Sequence, residues 1–518
     1  MRITRLSFIH KKEYLCKNFP LETHKKILMN GIFILITIII YFSLLIIISR
    51  ITAGKHSDND AFFRGNKQSP WYIVSFGMIG ASLSGVTFVS VPGMVKNIDM
   101  TYMQTCMGFF VGYLIIAHLL LPLYYRLNLT SIYSYLGQRL GKYSYKTGAS
   151  FFLVSKILGA AARLYLVCII LQKYVFDTYN IPFAATAIGT VILIWIYTHK
   201  SGIRTIVWTD SLQTFCLLMA LILIIYNVVD KLNMNIADAI NAVKESNMSR
   251  IFVFDDWQSK QNFFKQFLSG IFITIVMTGL DQDMMQKNLS CRNLREAQKN
   301  MYCYGISFVP VNLLFLSLGV LLMIAATQMN ISVPAKGDDL LPMFAAEGYL
   351  GYTVLIFFTI GIIAAAFSSA DSALAALTTS FCIDIINTDK YPEQKAVKAR
   401  KLVHIGISTV FVICIMIFEA INSQSVIDTI YVLASYTYGP LLGLFCFGLF
   451  TRMTPKDKYV PYIALLSPII CYIIDDMTFK STGYKFGYEM LMFNGLLTFI
   501  GLAVISRKEN KKTIEQPT

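Results

Sequence analysis

The chain has 518 residues, of which 55% are hydrophobic and 14% charged, with a mean hydropathy of +0.56 and a formal net charge of +15. That is too apolar for a soluble globular protein and too long for one core. Nor is the positive charge a nucleic-acid signature, because the Lys and Arg residues cluster between apolar runs, where membrane topology is encoded.

Apolar runs of about twenty residues recur along the chain, the length a helix rising 1.5 Å per residue needs to cross roughly 30 Å of hydrocarbon. The expectation is an all-α polytopic membrane protein with about thirteen spans, near 27–50, 71–95, 103–125, 147–177, 181–198, 205–230, 264–286, 303–327, 350–386, 402–421, 424–450, 459–475 and 486–506. With the N-terminus outside and the C-terminus cytoplasmic, alternate loops collect about 26 Lys and Arg on one side and about ten on the other. Lys287, Arg292, Arg295 and Lys299 are one cluster of the rich side. Residues 1–26 break the rule with seven Lys or Arg on the outer side; Met29 opens the first apolar run, so 1–28 reads as a basic extension that is not translated. The ten Cys residues are scattered, with no CxxC and no His at metal spacing, and read as small apolar fillers.

The second span carries GASLSGVTFVSVPG (80–93), and the seventh ends in TGLDQDMMQ (278–286). These spans open two successive blocks of five, 71–230 and 264–450, the footprint of an inverted repeat whose first helices break so that freed backbone groups face a cavity. The expected organisation adds an extra helix at 29–50, an outer loop at 231–263, two C-terminal helices within 451–506 and a cytoplasmic tail, 507–518.

A charge at bilayer centre is costly and marks pairing or an ion path, so Lys156, Arg163, Asp210 and Asp371 need partners. Asp281 and Asp283, near the end of their span, are less conspicuous. Ser368, Asp371 and Ser372 share one helical face, with Ser369 and Ala365 close by. Such a patch of oxygens suits a hard cation such as Na⁺, although any one Ser could instead bond back to its own helix. Asp210 has a plainer reading as the ion-pair partner of Arg163 or Lys156, which lie on one face of the fourth span.

GASLSG…PG, SGIRTIVWTDSLQ, GLDQDMMQKNL and SSADSALAALTTSFCIDI, in that order, resemble the signature stretches of the solute:sodium symporter family, from about residue 29 to the end. The resemblance implies a five-plus-five inverted-repeat (LeuT-like) core and Na⁺-coupled symport in the cell membrane. It implies a main sodium site at Gly80, Leu83, Ala365, Ser368 and Ser369, and, from the sialic acid branch, a second sodium site at Asp210, Ser368, Asp371 and Ser372. Asp371 stands where that branch has a hydroxyl, which opens a route to proton coupling. Substrate contacts carry over to Ser82, Ser84, Thr87, Gln104 and Arg163, the last as a guanidinium fork for the carboxylate of sialic acid or a related sugar. The implied partners are Na⁺, a small organic solute and lipid, with no nucleic acid, no obligate protein partner and no cofactor beyond the coupling ion. The alternatives are a permease for a neutral sugar or amino acid, coupled to protons or sodium, and a transporter-like solute sensor. The short tail leaves no room for an output domain, and no nucleophile with a base supports an enzyme.

Overall fold

The structure, a computed structural model, describes residues 36–48, 50, 51, 63, 65–198, 203–421 and 426–508. The expected extension 1–28 and most of the tail lie outside the described residues.

Among the described residues, seven helices are long and apolar enough to cross a membrane, and three further spans are bent pairs. Shorter apolar helices, Ile36–Ile48, Phe183–Ile196 and Met490–Val504, stand where other spans are expected. A two-stranded antiparallel ladder, Met453–Pro455 with Ser506–Lys508, is a small departure from an all-helical chain.

The two blocks pack in a reciprocal way. In the first, Ile203–Lys231 lies along Tyr352–Ser380 of the second; in the second, Val426–Thr437 lies along Lys142–Tyr174 of the first. The same exchange links the broken helices, since Gly85–Ile98 packs on Leu294–Gln328 and Phe263–Thr274 packs on Tyr102–Ile115. This is the inverted repeat expected from the spacing of polar interruptions. The N-terminal helix docks outside it, with Phe42 edge-on to Phe367 at 4.8 Å.

Both opening helices break where expected. Trp71–Ser82 and Gly85–Ile98 meet at 55°, and Phe263–Gly279 and Gln282–Leu289 at 64°. The second half of the first helix continues through Pro92 to Ile98. Gly93 is there because a Cβ would collide with the backbone of Gly337. A third bend, 45° between Ile430–Thr437 and Gly439–Phe450, falls inside what the sequence reads as one unbroken span. Its cause is local: Pro440 begins the second half and supplies no amide for the helical ladder.

Candidate cation and solute site

A bent helix frees backbone carbonyls, and in a bilayer each must find a partner. At the second break the protein supplies them. The Tyr124 hydroxyl donates to Gly279 O and the Tyr133 hydroxyl to Leu280 O, both at 2.9 Å. Asp281 caps the helix that follows, accepting the Asp283 amide at 2.9 Å, and Gln282 clamps the loop beside it through Thr130 O and the Ile132 amide. At the third bend, the Asn494 amide donates to Ser435 O and Tyr436 O, at 2.9 and 3.1 Å.

The first break differs. Its ladder stops with the Leu83 amide on Ile79 O (2.9 Å) and resumes with the Phe88 amide on Ser84 O (3.1 Å). The Ser369 hydroxyl reaches Ala81 O at 3.1 Å, but among the described residues no side-chain donor reaches the carbonyls of Gly80, Ser82 or Leu83. Gly80 is held close to Thr214 of the neighbouring helix, where a Cβ would overlap the threonine side chain. Of the residues expected to form the main sodium site, Gly80 and Leu83 flank this break and Ser369 reaches it from Tyr352–Ser380, the helix that also carries Ala365. Ser368 turns the other way, its hydroxyl donating to Asp210 Oδ1 at 2.8 Å.

Beside the break lies a cavity lined by Ser82, Ser84, Thr87, Arg163 and Ser369, with Tyr113, Tyr304 and Tyr431 among its aromatic walls. The Ser82 hydroxyl is bonded to that of Tyr304, which also accepts from Tyr113 OH at 2.8 Å. Tyr431 stands at one end, its hydroxyl 2.9 Å from that of Tyr102 and its ring edge-on to Tyr488 at 4.9 Å. Beyond lies a second cavity, whose lining includes Lys260, Lys336 and Lys485.

Gln104 does not line the solute cavity. Its amide donates to Thr101 O and Gln261 O, at 3.2 and 2.8 Å, and accepts the Val253 amide at 3.1 Å, so it ties the 232–262 loop to the bundle and has no group left for a solute.

The floor of the cavity is ionic, and here the structure corrects the sequence reading. Asp210 pairs with neither Arg163 nor Lys156 but with Lys287, Nζ to Oδ2 at 2.8 Å. Lys287, grouped above with exposed loop charges, is 1% exposed. It also faces Asp283 at 3.6 Å, and Lys156 bridges Asp283 (2.8 Å) and Asp281 (3.0 Å). The Tyr438 hydroxyl at the third bend donates to Asp281 Oδ2 at 2.9 Å. Hydrogen bonds and ion pairs therefore run from Ser368 on the long helix to Tyr438 at the third bend, and of these residues Lys156, Asp281, Asp283 and Tyr438 line the solute cavity. Sequence reasoning missed Lys287, Gln282 and Tyr438 as members of this site. The signal for the first was present, a lysine six residues beyond a break-forming Asp, but a charge beside other charges reads as a solvated end.

The sequence model of the sodium:solute symporter family matches residues 62–457. The chain belongs to the sodium:solute symporter family. As a family member it is a multi-pass membrane transporter and not an enzyme, and Na⁺ is the family's coupling ion. It is 24% identical over 412 residues to the sodium/iodide cotransporter of Homo sapiens, covering 77% of this chain but 62% of that protein. It is 24% identical over 426 residues to the sodium/sialic acid symporter SiaT of Proteus mirabilis, covering 80% of this chain and 83% of that one. In three dimensions it resembles a substrate-bound, outward-open Na⁺-coupled sialic acid symporter, with a TM-score of 0.79 at 19% identity, covering 93% of this chain and 100% of that chain.

Proposed function

We propose that this symporter imports a small carboxylated organic solute, of which a sialic acid is the leading candidate, by coupling its entry to Na⁺. The observation that carries the reading is the contrast among the three bends: side-chain donors cap the second and third, while the carbonyls of Gly80, Ser82 and Leu83 have none among the described residues. Backbone carbonyls beside the Ser369 hydroxyl form a neutral oxygen set suited to a monovalent hard cation. The cavity next to them holds one guanidinium, Arg163, among Ser82, Ser84 and Thr87. A guanidinium fork takes a carboxylate bidentately, and hydroxyls beside it suit the oxygens of a sugar acid.

The cation would hold Trp71–Ser82 and Gly85–Ile98 in one angle against Tyr352–Ser380, completing the cavity wall that carries Ser82 and Ser84. Coupling requires only that Na⁺ and solute favour the same state. The five-helix blocks 71–230 and 264–450 are the units that rock. The N-terminus lies outside and the C-terminus in the cytoplasm, so the lysine-lined second cavity is the outer vestibule. With a carboxylate solute one Na⁺ makes an electroneutral complex, on which the potential does no net work, so the Na⁺ concentration gradient sets the accumulation; for a neutral solute the potential's about 2.3 kcal/mol per charge per 100 mV would add roughly fiftyfold.

One observation favours a second reading, proton coupling: four acids, Asp210, Asp281, Asp283 and Asp371, are buried in the bundle, as are two lysines, Lys156 and Lys287. Proteoliposomes separate the two. Uptake of labelled N-acetylneuraminate, neutral sugars, amino acids and monocarboxylates is measured with external Na⁺ or choline. Carboxylated solutes are expected to enter only with Na⁺; uptake unchanged in choline and driven by external acid would replace sodium with protons, and a response to neutral solutes alone would remove Arg163 from the substrate site.

A further inference from the structure

We propose that the ammonium of Lys287 is the resident cation of the oxygen cluster formed by Asp210, Ser368 and Ser372, so that this cluster takes no Na⁺ and a single Na⁺ accompanies each solute. The inference rests on the symport reading and sharpens it by setting the number of coupled ions. The resemblance implies a second sodium position here, and the geometry fills it. Asp210 Oδ1 accepts from the Ser368 hydroxyl at 2.8 Å, while Oδ2 faces Lys287 Nζ at 2.8 Å and accepts from the Ser372 hydroxyl at 3.2 Å. Both carboxylate oxygens are engaged, and both charged groups are buried, Asp210 at 0% and Lys287 at 1% exposure.

An ammonium carries the same charge as Na⁺ and is tethered, so it competes at a fixed, high local concentration that no ion gradient alters. A sodium ion on Asp210 would have to stand beside this ammonium, two like charges in a dry site, or expel it. Asp283, at 3.6 Å from the ammonium, and the nearby carboxylate of Asp371 also favour keeping this charge in the site. The lysine comes from the helix that follows the second break, Gln282–Leu289, so the cluster joins both repeats without an ion.

The test is equilibrium binding of ²²Na⁺ to the purified full chain in nanodiscs, at constant ionic strength with choline, a readout independent of transport. Wild type is expected to bind one ion per chain with a Hill coefficient of about 1. Lys287→Met, provided it elutes as wild type does in size exclusion, is expected to bind two, and Lys287→Arg one. Two ions on wild type would overturn the inference and leave symport standing, as would a well-folded Lys287→Met that still binds one. If wild type binds no Na⁺ saturably, the symport reading itself fails and the inference falls with it.

Discussion

The two broken helices that open the repeats are the same device put to opposite uses. At Leu280–Asp281 the freed carbonyls are met by Tyr124 and Tyr133, and the acids by lysine ammonium groups at 2.8 to 3.0 Å. That break is closed by groups belonging to the protein. At Leu83–Ser84, among the described residues, the one side-chain donor to a carbonyl of the break is the Ser369 hydroxyl, on Ala81 O at 3.1 Å. The difference teaches where a mobile ion can act: an oxygen cluster already matched by fixed donors gains nothing from Na⁺, whereas carbonyls without donors, held in a desolvated place, leave a free-energy deficit that a cation can offset.

If that contrast holds, the largest effect on stability comes from the second break. Lys156→Met leaves Asp281 and Asp283 buried without their shared counter-ion and is expected to cost about 3–5 kcal/mol, read as a lower unfolding midpoint of the detergent-purified protein. A midpoint equal to wild type would mean that the floor is not held by these pairs. Next comes the solute side: Arg163→Lys keeps the charge but loses the fork, and the KM for a carboxylated solute is expected to rise about tenfold or more while Na⁺ affinity stays near wild type. At the first break, Ser369→Ala removes one oxygen ligand and is expected to raise the half-saturating Na⁺ concentration about tenfold, the equivalent of about 1.4 kcal/mol. Its unfolding midpoint in choline is expected to change little, which separates an ion-binding break from a structural one. The smallest effect is Tyr438→Phe, which deletes the 2.9 Å bond to Asp281 and is expected to cost about 1 kcal/mol with Na⁺ affinity unaltered.

Much of the fold is legible in the chain because a bilayer imposes length and satisfaction rules on every span. Apolar runs mark the helices, and GASLSG and TGLDQD mark the two breaks, since small and polar residues are tolerated at depth only where backbone faces a cavity or protein. The ionic floor is not legible in this way. Lys287 sits in DMMQKNLSCRNLR, which reads as a helix end in solvent, and only the 64° turn before it sends Gln282–Leu289 back into the protein against a carboxylate 77 residues earlier in sequence. Gln104 fails for the opposite reason. Its place on the chain resembles a substrate contact, while the loop that takes two of its three hydrogen bonds arrives from residues 253 and 261. The bend at Tyr438 is concealed because Pro440 follows it inside an apolar run long enough to pass for one straight span.

The account stands on an alkali cation bound at the first break. The most direct measurement is a pair of cryo-EM maps of the purified protein in nanodiscs, one in Na⁺ and one in choline, at a resolution that shows ions. A compact density among the carbonyls near Leu83 and the Ser369 hydroxyl, present in Na⁺ and absent in choline, is the predicted result. Identical maps with no density at the break, or Na⁺ density on Asp210 instead, would contradict it.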